Sequence, residues 1–209
     1  MTRDSKDTED HWQNVYRTKR PESVSWYQPH LQLSLQLLKE AGVTASSRVL
    51  DVGGGASTLV DDLLDQGICH VSVLDVSDEA LALAQRRLGS RGELVKWYTG
   101  DVLEIALPPG GFDFWHDRAV LHFLSDPVDV ARYVQIATKT LTIGGYAVIA
   151  GFSPDGPERC SGLQVARRSA EDIAALFAPA FTFVQQRTER HRTPSGLEQS
   201  FVYVLVQRH

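Results

Sequence analysis

The chain has 209 residues, 43% of them hydrophobic and 22% charged, with a formal net charge of -5. That length fits one domain with a sizeable core, and the mild acidity argues against a surface built to grip nucleic-acid phosphates. No apolar run approaches the ~20 residues a bilayer span needs, Met1–Asp10 is polar and mixed in charge, unlike a secretory leader, and Cys69 and Cys160 form no C-x-x-C pair of the zinc-binding kind. The expectation is one cytoplasmic domain over residues 1–209, with neither nucleic acid nor membrane as partner and its oligomeric state left open.

Taken in chain order, the first ten residues are charged and read as frayed. Helices are expected near Asp10–Lys19 and over Pro29–Ala41, where Leu31, Leu35 and Leu38 recur at helical spacing. Between them lies Ser25-Trp26-Tyr27. Arg48–Val52 (RVLDV) then reads as a buried strand cut off by Gly53-Gly54-Gly55. A helix over Ser57–Gln66 ends at Gly67, and His70–Asp75 is a second strand. Ser77 can cap the next helix, through Leu88, with Asp78 and Glu79 at its positive end. Leu94–Thr99 and Phe112–His116 follow as strands. Asp126-Pro127 opens a helix running to about Leu141, and Tyr146–Phe152 is a fifth strand. Ser153–Arg168 is a long loop of the kind that often binds substrate. Ser169 and Asp172 stand in capping-box spacing before a helix to Phe177. Phe181–Arg190 and Gln199–Gln207, joined by a short turn, must pair antiparallel. The pattern predicts an α/β fold, with a doubly wound, seven-stranded mixed sheet that is mostly parallel, closed by a C-terminal antiparallel hairpin and covered by helices on both faces.

Doubly wound sheets bind ligands at the carboxyl ends of their strands. The first strand ends in Asp51-Val52-Gly53-Gly54-Gly55-Ala56-Ser57, where glycines permit a sharp turn and a close ligand. The second ends in Asp75-Val76, about 20 residues on, where a carboxylate can accept both ribose hydroxyls of an adenosine-type ligand. After the third strand comes Gly100-Asp101-Val102, whose carboxylate and next N–H can read an adenine edge. A dinucleotide turn wants a third glycine where this chain has Thr58. S-adenosylmethionine (SAM) has no phosphate to demand that close an approach, so the mismatch favours SAM over NAD.

These residues resemble the class I, seven-stranded SAM-dependent methyltransferases. Val49–Gly55 resembles the family's first motif and Val73–Ser77 its acidic loop. Gly100-Asp101-Val102 resembles its adenine contact, and Leu141–Tyr146 its Gly-Gly turn, with Ile143 where proline is usual. His11-Trp12, Tyr16 and Ser25-Trp26-Tyr27 resemble the aromatic opening of a branch that includes protein-lysine methyltransferases. In that branch the N-terminal segment, here residues 1–45, covers the cofactor. Phe112–His122 resembles the same branch's "FD-x-x-x-DKGT-x-D", with Asp117 kept, Arg118 for lysine and His122 for the second aspartate. The resemblance implies SAM as cofactor, bound by Trp12, Tyr16, Trp26, Asp51, Gly53, Gly54, Gly55, Ser57, Asp75, Val76, Asp101, Val102 and His116.

Methyl transfer from a sulfonium needs positioning and a dry pocket, and a base only where the acceptor must lose a proton. His116, whose unperturbed pKa lies near ~6.5, and Asp117 are the catalytic candidates. Tyr27, Arg118, His122 and Cys160 are the candidates for the acceptor. No carboxylate cluster points to a metal. The leading expectation is transfer to O, S or N of a small molecule. A protein-lysine methyltransferase is the second, and a non-catalytic SAM binder or an NAD enzyme the third.

Overall fold

The computed structural model describes residues 5–209. Its first helix, α1 (Ser5–Thr18), starts well before the expected Asp10, so residues 5–10 are helical rather than frayed, while Met1–Asp4 lie outside the described residues. Next come α2 (Gln32–Glu40), β1 (Arg48–Val52), α3 (Leu59–Asp65), β2 (His70–Asp75), α4 (Asp78–Leu88), β3 (Lys96–Thr99) and β4 (Phe112–Arg118). The second half holds α5 (Pro127–Thr140), β5 (Leu141–Phe152), β6 (Arg159–Cys160), β7 (Leu163–Gln164), α6 (Ala170–Phe177), β8 (Phe181–Arg192) and β9 (Glu198–Arg208).

One seven-stranded sheet runs β3-β2-β1-β4-β5-β9-β8. The first five strands are parallel neighbours, β9 is antiparallel to β5, and β8 is antiparallel to β9. Strand order reverses between β1 and β4, which puts the binding crevice outside their carboxyl ends.

Side chains alternate across each strand, so β1 feeds two cores. Val49 packs with Leu37, Leu38, Leu59 and Leu63 from α2 and α3. Leu50 and Val52 pack with Tyr133 and Ala137 of α5 and Ile173 and Phe177 of α6. Each such buried aliphatic or aromatic side chain contributes about 1.5–3 kcal/mol. The caps stand where the sequence places them. Ser77 accepts from Ala80 N, Asp126 from Val128 N, and Ser169 and Asp172 form a reciprocal capping box.

Several boundaries differ from expectation. The helix expected over Pro29–Ala41 begins only at Gln32. The one expected from Ser57 begins at Leu59, whose N–H donates to the Ser57 hydroxyl. A 3-10 turn over Gly89–Leu94 shortens the third strand to Lys96–Thr99. β5 starts early because Leu141 pairs with Phe112. Pairing resumes at Tyr146 with Phe114, and the residues between bulge outward with Gly144 at φ +81°. The Ser153–Arg168 loop carries a small hairpin, β6 against β7.

Candidate active site

The strand ends build a cavity of about 290 Å³ along the crevice. At the β2–β3 side its wall is Gly53, Asp75, Val76, Gly100, Asp101 and Val102. At the β4–β5 side it is Arg118, Val120, Phe123, Cys160, Leu163 and Gln164. Trp12, Tyr16 and Trp26 line it from the N-terminal segment.

The glycine turn is shaped by close approach. Gly53 lies at φ +67° with its N–H donating to Leu74 O at 2.7 Å, and a Cβ on it would stand 2.1 Å from Val120 Cγ2. A Cβ on Gly54 would meet Asp51 Oδ2 at 2.5 Å, and one on Gly55 would meet Asp75 Oδ2 at 2.7 Å. Both carboxylates therefore lean on bare backbone. Asp75 Oδ1 accepts from Ser77 N at 2.8 Å. Burial, and then the Asp51 charge, push the Asp75 carboxyl up to about 7. Asp101 Oδ1 accepts from Leu103 N at 2.9 Å.

The roof is aromatic. Trp12 meets Trp26 edge to face at 5.6 Å and Phe123 at 5.3 Å. Tyr16 is half-buried, and loss of solvent around its hydroxyl, with Asp75 adding to it, lifts its phenol above the usual range. Two sets of bonds fasten this roof. The Gln13 carboxamide accepts from the Ser77 hydroxyl at 2.9 Å and Glu79 N at 3.2 Å, and donates to Asp78 at 2.5 Å. Farther on, Arg118 Nη1 donates to Trp26 O at 2.9 Å, and His191 Nε2 donates to Ser25 O at 2.7 Å. Gln28 donates to Glu189 and to His191, each at 3.0 Å.

The structure does not bring every expected residue to this wall. His116 and Asp51 face each other in the β1–β4 register and bond through Nδ1 and Oδ1 at 2.7 Å. With Nδ1–H donating, His116 Nε2 accepts from the Ser34 hydroxyl at 2.8 Å, which leaves both nitrogens engaged. Asp51 Oδ2 is buried without a partner. Asp51, Gly54, Ser57, His116 and Tyr27 instead line a smaller cavity of about 50 Å³ behind the glycine turn, together with Gly53, Tyr16, Trp26 and Arg118. Gly55 reaches neither space.

Asp117 is buried beneath the wall. It accepts from Val120 N at 2.6 Å, Leu121 N at 2.9 Å and the Tyr133 hydroxyl at 2.5 Å, and burial raises it to about 6. These bonds fix the turn that carries Val120 and Phe123, so Asp117 positions the wall rather than facing a substrate. His122 also points inward. Its ring packs on Phe123 at 4.3 Å and Phe152 at 4.9 Å, both nitrogens lack partners, and burial, with Arg118 and Arg168 behind it, lowers it to about 3.

Arg118 does line the cavity. Nε donates to the Tyr203 hydroxyl at 2.9 Å, the guanidinium lies 4.5 Å over the Phe201 ring, and Nη2 is buried with no hydrogen-bond acceptor, 3.7 Å from Glu189. Cys160 lines it too, a free thiol pushed up to about 12 by burial. The sequence reading missed Val120, Phe123, Leu163 and Gln164. Phe123, beside His122, was the one with a visible signal, an aromatic on an amphipathic stretch.

The residues fit SAM: two acids, Asp75 and Asp101, line one end of the cavity, and a Cβ on Gly53 would run into Val120 of the same wall. Among the described residues no group of three His, Cys, Asp or Glu is placed to hold a metal ion, and no helix is long and apolar enough to cross a membrane.

A sequence family described as "Methyltransferase domain" matches residues 49–145. The eEF1A lysine and N-terminal methyltransferase of Mus musculus is 25% identical over 142 residues, covering 65% of this chain and 20% of that protein. This chain therefore spans only a fraction of that relative's length. A Burkholderia thailandensis 1,6-didemethyltoxoflavin-N1-methyltransferase, solved with 1,6-didemethyltoxoflavin and S-adenosylhomocysteine, superposes with a TM-score of 0.71. It is 21% identical, over 100% of this chain and 92% of that one. A structure described for the conversion of a disulfide bond into a thioacetal group during echinomycin biosynthesis gives 0.77 at 21% identity, over 96% and 92%. At such identities the superpositions establish the shared fold.

Proposed function

We propose, from the premise that this chain belongs to the class I SAM-dependent methyltransferases, that it methylates an O, S or N atom of a small-molecule acceptor. The carrying observation is the make-up of the cavity, with acids at one end and rings with a buried guanidinium at the other. When bound, SAM supplies an activated methyl group. Asp75 would accept its ribose hydroxyls, Asp101 and Val102 would meet its adenine, and Gly53 would let it lie close to the backbone. Trp12, Tyr16 and Trp26 would close over it, excluding water and offering ring faces to a sulfonium. His116 and Asp117 act in this reading as positioning residues, one holding Asp51 and the other the turn under Phe123. The single-domain organisation, the cytoplasmic setting and the role of Ser153–Arg168 as an acceptor-side loop belong to the same reading.

A protein-lysine acceptor is the second reading, favoured by the likeness to the mouse protein methyltransferase and by the aromatic opening. Against it stands Arg118, since an ammonium entering beside a buried guanidinium meets a like charge at low dielectric. Incubation with radiolabelled SAM separates the two. Label in low-molecular-weight extract is the expected result. Label confined to protein, and lost in Asp75→Ala, would replace this reading with the second.

A further inference from the structure

The β4–β5 end of the cavity has a charge and a chemistry that the donor end lacks. Its walls are the rings of Trp12, Trp26 and Phe123 with Leu163, a surface suited to a flat, apolar molecule. The titratable side chains lining the whole cavity are Tyr16, Asp75, Asp101, Arg118 and Cys160. Asp75 and Asp101 stand at the β2–β3 side, with Ser77 N and Leu103 N on their oxygens. Cys160 is buried and Tyr16 half-buried, and desolvation holds both protonated. No histidine is among the described lining residues: His116 lies between Asp51 and Ser34, His122 is turned in against Phe152, His191 is tied to Ser25 O and Gln28, and His11 stacks on the edge of Trp12. Among the described residues, that end of the lining therefore presents a cation and neither a histidine nor a carboxylate.

The surroundings reinforce the sign. Lys19 and Arg118 both favour the charged form of Cys160, and Arg118 and Arg168 both oppose a charge on His122. The facing acid is Glu189, 3.7 Å from Arg118 Nη2 and already accepting from Gln28 and the Tyr203 hydroxyl. Arg168 is turned to the carbonyls of Leu121 and Leu124, and Asp117 is tied to backbone beneath the wall. The buried Arg118 Nη2 has no hydrogen-bond acceptor of its own, a costly state that an anionic ligand would relieve.

The geometry points to a subsite for a flat acceptor whose oxygen or sulfur has already lost its proton, a phenolate or an aryl thiolate, held against Arg118. This rests on the methyltransferase reading and narrows its acceptor. Transfer to such an anion forms one bond from that atom to the methyl carbon and breaks the methyl–sulfonium bond. The electron pair returns to the donor sulfur, both charges are cancelled, and no proton has to move.

The test uses 4-nitrophenol and 4-nitrothiophenol, whose ionised forms are read by absorbance, on the full chain saturated with S-adenosylhomocysteine. The expected result is an acid pKa lowered by about one unit or more in the bound probe, the shift an opposite charge within reach produces. Arg118→Gln should remove that shift, and Arg118→Lys should retain part of it. A bound pKa unchanged or raised, a probe that does not bind, or tighter binding of benzylamine would overturn the inference while leaving the donor site intact. Failure of S-adenosylhomocysteine itself to bind would overturn the methyltransferase reading. Should Arg118→Gln not fold, the wild-type pH profile decides. With SAM kept saturating at every pH, so that Asp75 does not enter the rate, the inflection in kcat/KM for the phenol should follow each phenol's own pKa across a substituted series, and an inflection fixed at one pH would reveal an enzymic base and sink the proposal.

Discussion

At the β2–β3 side the cavity meets backbone turns and buried carboxylates, and at the β4–β5 side it meets rings and a guanidinium. The acid side comes from three short segments that each follow their own strand, and every one has a local reason to be there. The ring side is assembled from α1, the Ser25–Gln28 strap, the turn after β4 and the β6–β7 hairpin, with β8 and β9 behind it. One half is written in the turns that directly leave β1, β2 and β3. The other depends on long-range closure, which leaves room for a different acceptor in a chain with the same donor half.

The sharpest way to break this division is Asp75→Ala. Loss of two hydrogen bonds to a charged group, each worth about 1.5–3 kcal/mol, should weaken SAM binding more than about 100-fold in calorimetry. Affinity within a few-fold of wild type would mean that the acid side is not the donor side. His116→Leu comes next. It strands Asp51 as a buried charge, so unfolding in urea should show a loss of about 3 kcal/mol. The pH dependence of turnover should stay in place, whereas a moved profile would return His116 to proton transfer. Gly54→Ala drives a methyl against Asp51 Oδ2 and Val73 and should cost about 1–3 kcal/mol by the same assay.

The smallest effect is a pH dependence. Asp75, raised to about 7, holds a proton in the free protein below that pH, while ribose hydroxyls need its ionised form. SAM affinity should therefore fall as pH drops through about 7, approaching tenfold per unit, and Asp75→Asn should flatten the curve. The same shift enters stability with the opposite benefit. Between the ordinary carboxyl range and about 7 the folded state holds the extra proton, so Asp75 favours folding at the acid end and loses that contribution as pH rises. A melting series in Asp75→Asn should lack that slope.

The acid side was legible in the sequence because its signals are local. Gly53–Gly55 follow an apolar run, Asp75 ends the next strand, and Ser77, Asp126 and Ser169 mark caps with their own side chains. What stayed hidden depends on register and on distant segments. Nothing near His116 in the sequence announces Asp51 or Ser34 as partners, since β1 pairing and the position of α2 decide both. Asp117 and His122 stand among the site candidates in the sequence because they come just past the expected fourth strand, Phe112–His116. β4 instead runs on through Arg118, which buries Asp117 within the sheet, and the chain then turns at Ala119, φ +81°, into a 3-10 turn that buries His122. No residue in the Ser153–Arg168 loop foretold the β6–β7 hairpin or its meeting with Trp12 across the cavity.

Gln13 grips Ser77, Asp78 and Glu79, which come just after Asp75-Val76. The floor that would read a ribose and the helix that carries Trp12 thus share one set of bonds. A ligand seated on that floor would steady the wall beside it. The expected outcome in steady-state kinetics is ordered addition with the nucleoside first, its demethylated product competing with SAM and not with the acceptor; random addition would separate the two walls.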